Sequence, residues 1–110
     1  MALLDHRSRY LYLVRSEFGD SARLEDWHAW CDNEHIPKLL SVPGFHSATR
    51  YEERGAPRRY LAAYGIESPA VLDEPHYKEI TGWGEWANYL KEWRRAICEV
   101  VTELPGGPSV

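Results

Sequence analysis

Apolar and polar positions alternate with a period near two along Tyr10-Leu-Tyr-Leu-Val-Arg-Ser-Glu-Phe18, which predicts a first strand. Gly19-Asp20-Ser21 breaks the pattern and offers helix caps in Asp20 and Ser21. The period then lengthens, predicting a helix over about 22–40 that Val42-Pro43-Gly44 ends. Pro37 falls inside that span. Proline lacks an amide donor and crowds the preceding turn, so a kink or an early stop is expected near His35 or Ile36. Alternation returns over 45–51 and 59–67, with Arg54-Gly-Ala-Pro57 as the turn between two more strands. Ser68-Pro69 opens a second helical region, which Pro75 and Gly82-Trp83-Gly84 divide into a short helix and a longer one over about 85–94. A fourth strand is expected over 97–104.

The order β-α-β-β-α-β is the split βαβ arrangement of a ferredoxin-like α+β fold. Its four-stranded antiparallel sheet carries helices on one face only, and the chain has no third layer to cover the other. A homodimer joined through the sheet faces meets that need. On the third strand Tyr60, Ala62, Tyr64 and Ile66 share a face opposite Leu61, Ala63 and Gly65. Small residues beside tyrosines leave room for a ligand, or pack closely across a dimer. His46 and Arg50 share a face of the second strand, and a slip of one residue decides whether it meets the helices or the partner. Trp83, Trp86 and Trp93 fall on roughly one helical face, where they would pack the second helix on the sheet.

Length and charge narrow the classes. The 110 residues suit a single domain over 1–110, with its core at about 10–104 and terminal extensions at 1–9 and 105–110. A net charge of −4 and a pI near 5.7 disfavour nucleic acid as a partner. The longest apolar run, 10–14, is far too short to span a membrane, and the first residues lack a signal-peptide core. Two cysteines define no disulfide framework, so a soluble cytoplasmic protein with free thiols is expected. Five Trp and seven Tyr against two Phe bias the aromatics toward polar handles, which suits an interface or a pocket for a flat ligand.

The candidate chemistry lies in Leu24-Glu-Asp-Trp-His-Ala-Trp-Cys-Asp-Asn-Glu-His-Ile-Pro37. Seven positions return a helical side chain to within about 20°, so Leu24 shares a stripe with Cys31 and His28 with His35. Trp27 flanks that stripe on one side and Asp32 on the other. Asp32 is four residues after His28 and three before His35, placed to orient either ring and hold its proton on one nitrogen. The two imidazoles lie about 10 Å apart along the axis, too far to ligate one ion, so no metal is expected. Cys31 and His35 have the spacing of a thiolate–imidazole pair, but a buried, inert thiol is the preferred reading. Arg50 could hold an anion or pair with Glu52 or Glu17.

Trp27…Trp30-Cys-Asp-Asn-Glu-His-Ile-Pro37, Val42-Pro-Gly-Phe45, Thr49-Arg-Tyr51, Tyr60-Leu-Ala-Ala-Tyr64 and Glu67-Ser-Pro69 resemble the dimeric α+β barrel superfamily, nearest to its EthD-like branch and methylmuconolactone isomerase. The resemblance covers about 10–104. It implies a ferredoxin-like homodimer with a pocket between sheet and helices in each subunit. It also implies cofactor-free chemistry on flat aromatic, lactone or polyketide-like molecules. In several members the histidine that matches His35 is the acid–base residue or lines the pocket. The expected function is therefore an isomerase, cyclase or lyase without cofactor. His35 would carry the proton, His28 or Asp32 would orient it, and Trp27, Cys31, His46, Arg50, Tyr60 and Tyr64 would line the substrate site. A cofactorless or haem-linked monooxygenase and a non-catalytic small-molecule-binding dimer are the alternatives.

Overall fold

The computed structural model describes residues 8–107. The expectations for residues 1–7 and 108–110, which make up most of the first terminal extension and half of the second, lie outside that range. Strand β1 (Tyr10–Phe18) alternates as its sequence predicts, with Tyr12, Val14, Ser16 and Phe18 buried. Asp20 caps the turn that follows, its Oδ1 accepting from the Ala22 amide at 2.9 Å. The helical stretch then runs through a 3-10 turn (Ser21–Arg23), α1 (Leu24–Trp30), a π-helical turn (Cys31–His35) and α2 (Ile36–Leu40).

Pro37 does not stop this helix, which continues to Leu40. The turn before it widens instead, and the Ile36 amide donates to the Cys31 carbonyl five residues back. A wider turn makes room for the pyrrolidine ring, which in a regular α-helix would press on the carbonyl four residues earlier.

Strands β2 (Phe45–Glu52), β3 (Arg59–Ile66) and β4 (Leu90–Glu99) complete an antiparallel sheet in the order β2-β3-β1-β4. Between β3 and β4 lie a 3-10 turn (Pro69–Asp73), α3 (Pro75–Ile80) and a second 3-10 turn (Gly84–Tyr89). The helix expected over 85–94 does not form, and the fourth strand begins at Leu90 rather than Ile97. β1 pairs along its whole length with β4, from Tyr10 opposite Glu99 to Phe18 opposite Leu90. That ladder outweighs the local helical preference of the segment. Trp83, Trp86 and Trp93 therefore share no helical face. Trp86 is buried in the core, whereas Trp93 is 45% exposed on β4.

The bulge between Phe45 and Ser47 settles which way β2 faces. It lets Phe45, Ala48 and Arg50 all point toward the helices, which unbroken alternation forbids. His46 falls at the bulge. Two aromatic-rich clusters form the core, one around Tyr12, Phe45, Tyr64 and Tyr77, the other around Phe18, Trp27, Tyr60 and Trp86. Tyr12, and Tyr10 packed against that first cluster, belong to the helix side rather than to a seam between subunits. Leu11, Leu13, Tyr51, Leu61 and Ala63 occupy the opposite face, which no element among the described residues covers.

Candidate active site

A cavity of about 250 Å³ opens between the sheet and the widened helix, lined by members of both core clusters. Trp27, Cys31, His35 and Leu39 form its helical wall. They recur every four residues, a series that a strict α-helix would carry about 120° around its axis. The π turn holds all four on one side. The floor is one rung across the sheet, Arg50–Ala62–Val14–Arg95, with small residues between two arginines. Parallel rungs flank it, Tyr64–Tyr12 on one side and Tyr60–Ser16–Trp93 on the other. Tyr77 of α3 and Trp83 close the remaining side.

His35 stacks on Trp30 at 4.5 Å between ring centroids and 12° between planes. None of the described residues hydrogen-bonds its ring nitrogens. Burial, reinforced by the charge of Lys38, pushes its pKa down to about 4, so the imidazole is neutral near pH 7. Burial pushes the Cys31 thiol up to about 12, which makes it an inert wall rather than a nucleophile. Tyr64 and Tyr12 are likewise raised, chiefly by burial, and remain protonated phenols.

His28 and Asp32 do not reach His35. Arg50 donates to Asp32 Oδ1 at 2.9 Å and, from its other end, to His28 Nδ1 at 3.0 Å. An arginine can only donate, so Nδ1 is unprotonated and the ring carries its hydrogen on Nε2. Burial and the Arg50 charge lower the His28 pKa accordingly. The guanidinium lies 5.2 Å over the Trp27 ring and 5.7 Å from that of Tyr60. The orienting role expected of Asp32 fails because the helix widens between it and His35, while Arg50 reaches it from β2. His46 is also outside the cavity, its Nδ1 3.1 Å from Ser8 Oγ.

The structure thus brings Trp27, Cys31, His35, Arg50, Tyr60 and Tyr64 to one cavity and leaves out His28, Asp32 and His46. Sequence reasoning missed Tyr12, Trp83 and Arg95, while Tyr77 stood in a segment that could cover a pocket. Alternation from Tyr12 through Val14 to Ser16 carried the signal for the first. Arg95 fell between the helix expected over 85–94 and the strand expected from Ile97. Among the described residues, no group of His, Cys, Asp and Glu could hold a metal ion, and no helix is long and apolar enough to cross a membrane.

No protein-family model matches the chain, and no curated protein matches it. Solved structures do. A dimeric ferredoxin-like protein from an uncultured marine organism superposes with a TM-score of 0.71 at 14% identity, over 94% of this chain and 97% of its own. The chain has the ferredoxin-like fold. A monooxygenase of Streptomyces coelicolor, solved with nanaomycin D, is similar at a TM-score of 0.65 and 13% identity, over 94% and 96% of the two chains. A conserved protein of Methanosarcina mazei Go1 matches at 0.66 and 18% identity, over 84% and 94%. Structures named as antibiotic biosynthesis monooxygenases recur among these neighbours, and at identities of 9–15% the likeness is one of fold. Nothing in it singles out the EthD-like branch.

Proposed function

We propose that this chain is a cofactor-independent enzyme that moves a proton on a small, flat organic molecule, with His35 as the group that takes and returns it. The observation that carries this reading is a neutral imidazole in an aromatic-walled cavity, with no partner on its ring nitrogens among the described residues. A free ring nitrogen accepts a proton from an activated C–H or O–H, and the resulting imidazolium returns it to a second atom of the same molecule. No proton is gained or lost, as an isomerisation or ring closure requires. The low basicity of His35 restricts it to acidic protons and makes the return step fast. Tyr64, buried in the floor without a hydrogen-bond partner, can donate to a developing enolate oxygen.

The uncovered sheet face and the dimeric state stated for one structural neighbour support a homodimer joined through that face. The open cavity favours a ligand site over a filled accessory domain. The named monooxygenases among the neighbours support a second reading, oxygenation without cofactor, which dioxygen consumption with a phenolic substrate separates from the first.

The test of the acid–base reading needs no natural substrate. Deuterium uptake at the activated carbon of 2-tetralone, followed by NMR in D₂O, should be faster with the protein than in buffer. His35→Ala should slow it by about 10²-fold or more with the fold intact by circular dichroism. Equal exchange in the variant would remove His35 from the mechanism.

A further inference from the structure

The cavity is built to donate. No carboxylate lines it, yet two arginines stand at opposite ends of its floor rung, their Cα atoms three strand spacings or about 14 Å apart. The two are not equivalent. Arg50 is engaged at both ends by Asp32 and His28. Arg95 forms no ion pair among the described residues. Its one hydrogen bond, from Nη1 to the Tyr12 hydroxyl, is long at 3.4 Å.

The hydroxyls beside Arg95 sharpen the contrast. Tyr12 and Tyr77 are bonded to each other at 3.0 Å, and both are almost fully buried. Thr81 donates to the Tyr77 oxygen at 3.0 Å, as Arg95 does to that of Tyr12. One phenol must donate to the other. Whichever does, the second phenol accepts two hydrogen bonds and keeps its own O–H, for which none of the described residues supplies an acceptor. A buried donor left without a partner costs about 1–3 kcal/mol. Trp27, in the same cavity wall, has a buried indole N–H with no acceptor either. A guanidinium without a counter-charge, next to a spare buried O–H, is a seat for a negatively charged oxygen.

We infer that the ligand of this cavity is a flat organic anion whose acidic oxygen, of carboxylate, enolate or phenolate type, sits at the Arg95 end against the Tyr12–Tyr77 hydroxyl pair. The inference rests on the cavity being the ligand site proposed above, and adds its substrate class. The ring system then lies over Ala62 and Val14, with His35 above it and Arg50 as a fixed, already neutralised wall. At about 250 Å³ the space falls below the ~300–1,000 Å³ of pockets for drug-sized ligands, which suits one or two fused rings.

Isothermal titration of the intact protein with 2-naphthoate and its neutral analogue 2-naphthamide tests this. The carboxylate should bind roughly tenfold or more tighter. Arg95→Gln should abolish that preference. Arg94→Gln, which removes the same charge on the opposite face of the same strand, should retain it. Equal binding of the two probes overturns the anion assignment while leaving the cavity as a ligand site. A preference that survives Arg95→Gln but is lost in Arg50→Gln moves the anion to the other end and overturns the assignment to Arg95. Failure of both probes to bind, or binding that leaves the ring signals of His35 and Tyr64 unshifted in NMR, overturns the cavity reading and this inference with it.

Discussion

His35 and Cys31 sit one turn apart on the same cavity wall, and burial moves their proton equilibria in opposite directions because their charged forms have opposite sign. For His35 the consequence is a stability that depends on pH. The unfolded imidazole binds a proton near pH 6.5 and the folded one only near 4. Above 6.5 neither state is protonated and the residue adds no pH dependence. As pH falls through that window the unfolded state takes up the proton first, so stability drops, by about 3 kcal/mol in all, and levels off below 4. Urea denaturation at pH 7.5 and 4.5 should therefore show a loss in the wild type that exceeds the loss in His35→Gln by about 2 kcal/mol. Equal losses would mean that His35 titrates normally. The sequence made His35 and Cys31 candidates through spacing alone. The burial that dominates these shifts was not legible, because the sheet and Arg50 meet the helix only on folding, whereas Lys38 lies three residues after His35 on the same helical stretch.

At the scale of elements, the widened turn before Pro37 shows how one residue reorganises a site. Periodicity assumes a constant angle per residue, so it grouped His28 with His35 and missed the Trp27–Cys31–His35–Leu39 series. A second constraint lies at Gly44, which has φ of +94° and whose missing Cβ would collide with the Val71 side chain. Its carbonyl accepts from the Glu67 amide at 2.8 Å, tying the end of the helical stretch to the end of β3. Gly44→Ala strains the backbone and pushes into the core together, and should cost about 2–3 kcal/mol in the same denaturation measurement. A change under 0.5 kcal/mol would show that the segment yields freely. The strands β1, β2 and β3 were legible to within a residue because turn residues bound each run of eight or nine strand-forming residues. β4 was not, since its first residues read equally well as helix, and only pairing with β1 chose between them.

At the scale of the whole molecule, the described residues leave one sheet face bare, with Leu11 41% and Tyr51 54% exposed beside Leu13 and Leu61. Serine, threonine, alanine and glycine at Ser47, Thr49, Ala63 and Gly65 keep that surface flat enough for another sheet to lie on it. Light scattering should give the mass of two chains for the wild type and of one for Leu13→Glu, which buries a charge at the centre of the contact. A monomeric wild type would refute the sheet-to-sheet dimer. The sequence by itself determined the order of the first strands, the two-faced grouping of β3, the turn residues and the helix that carries His35. These depend on local periodicity and backbone preference, which a linear chain already contains. Tertiary structure alone decided the reach of β4, the facing of Arg50, the partners of Asp32 and the pairing of Tyr12 with Tyr77 and Arg95. Each of those needs residues far apart in the chain to meet, and the free energy of that meeting is written in no single segment.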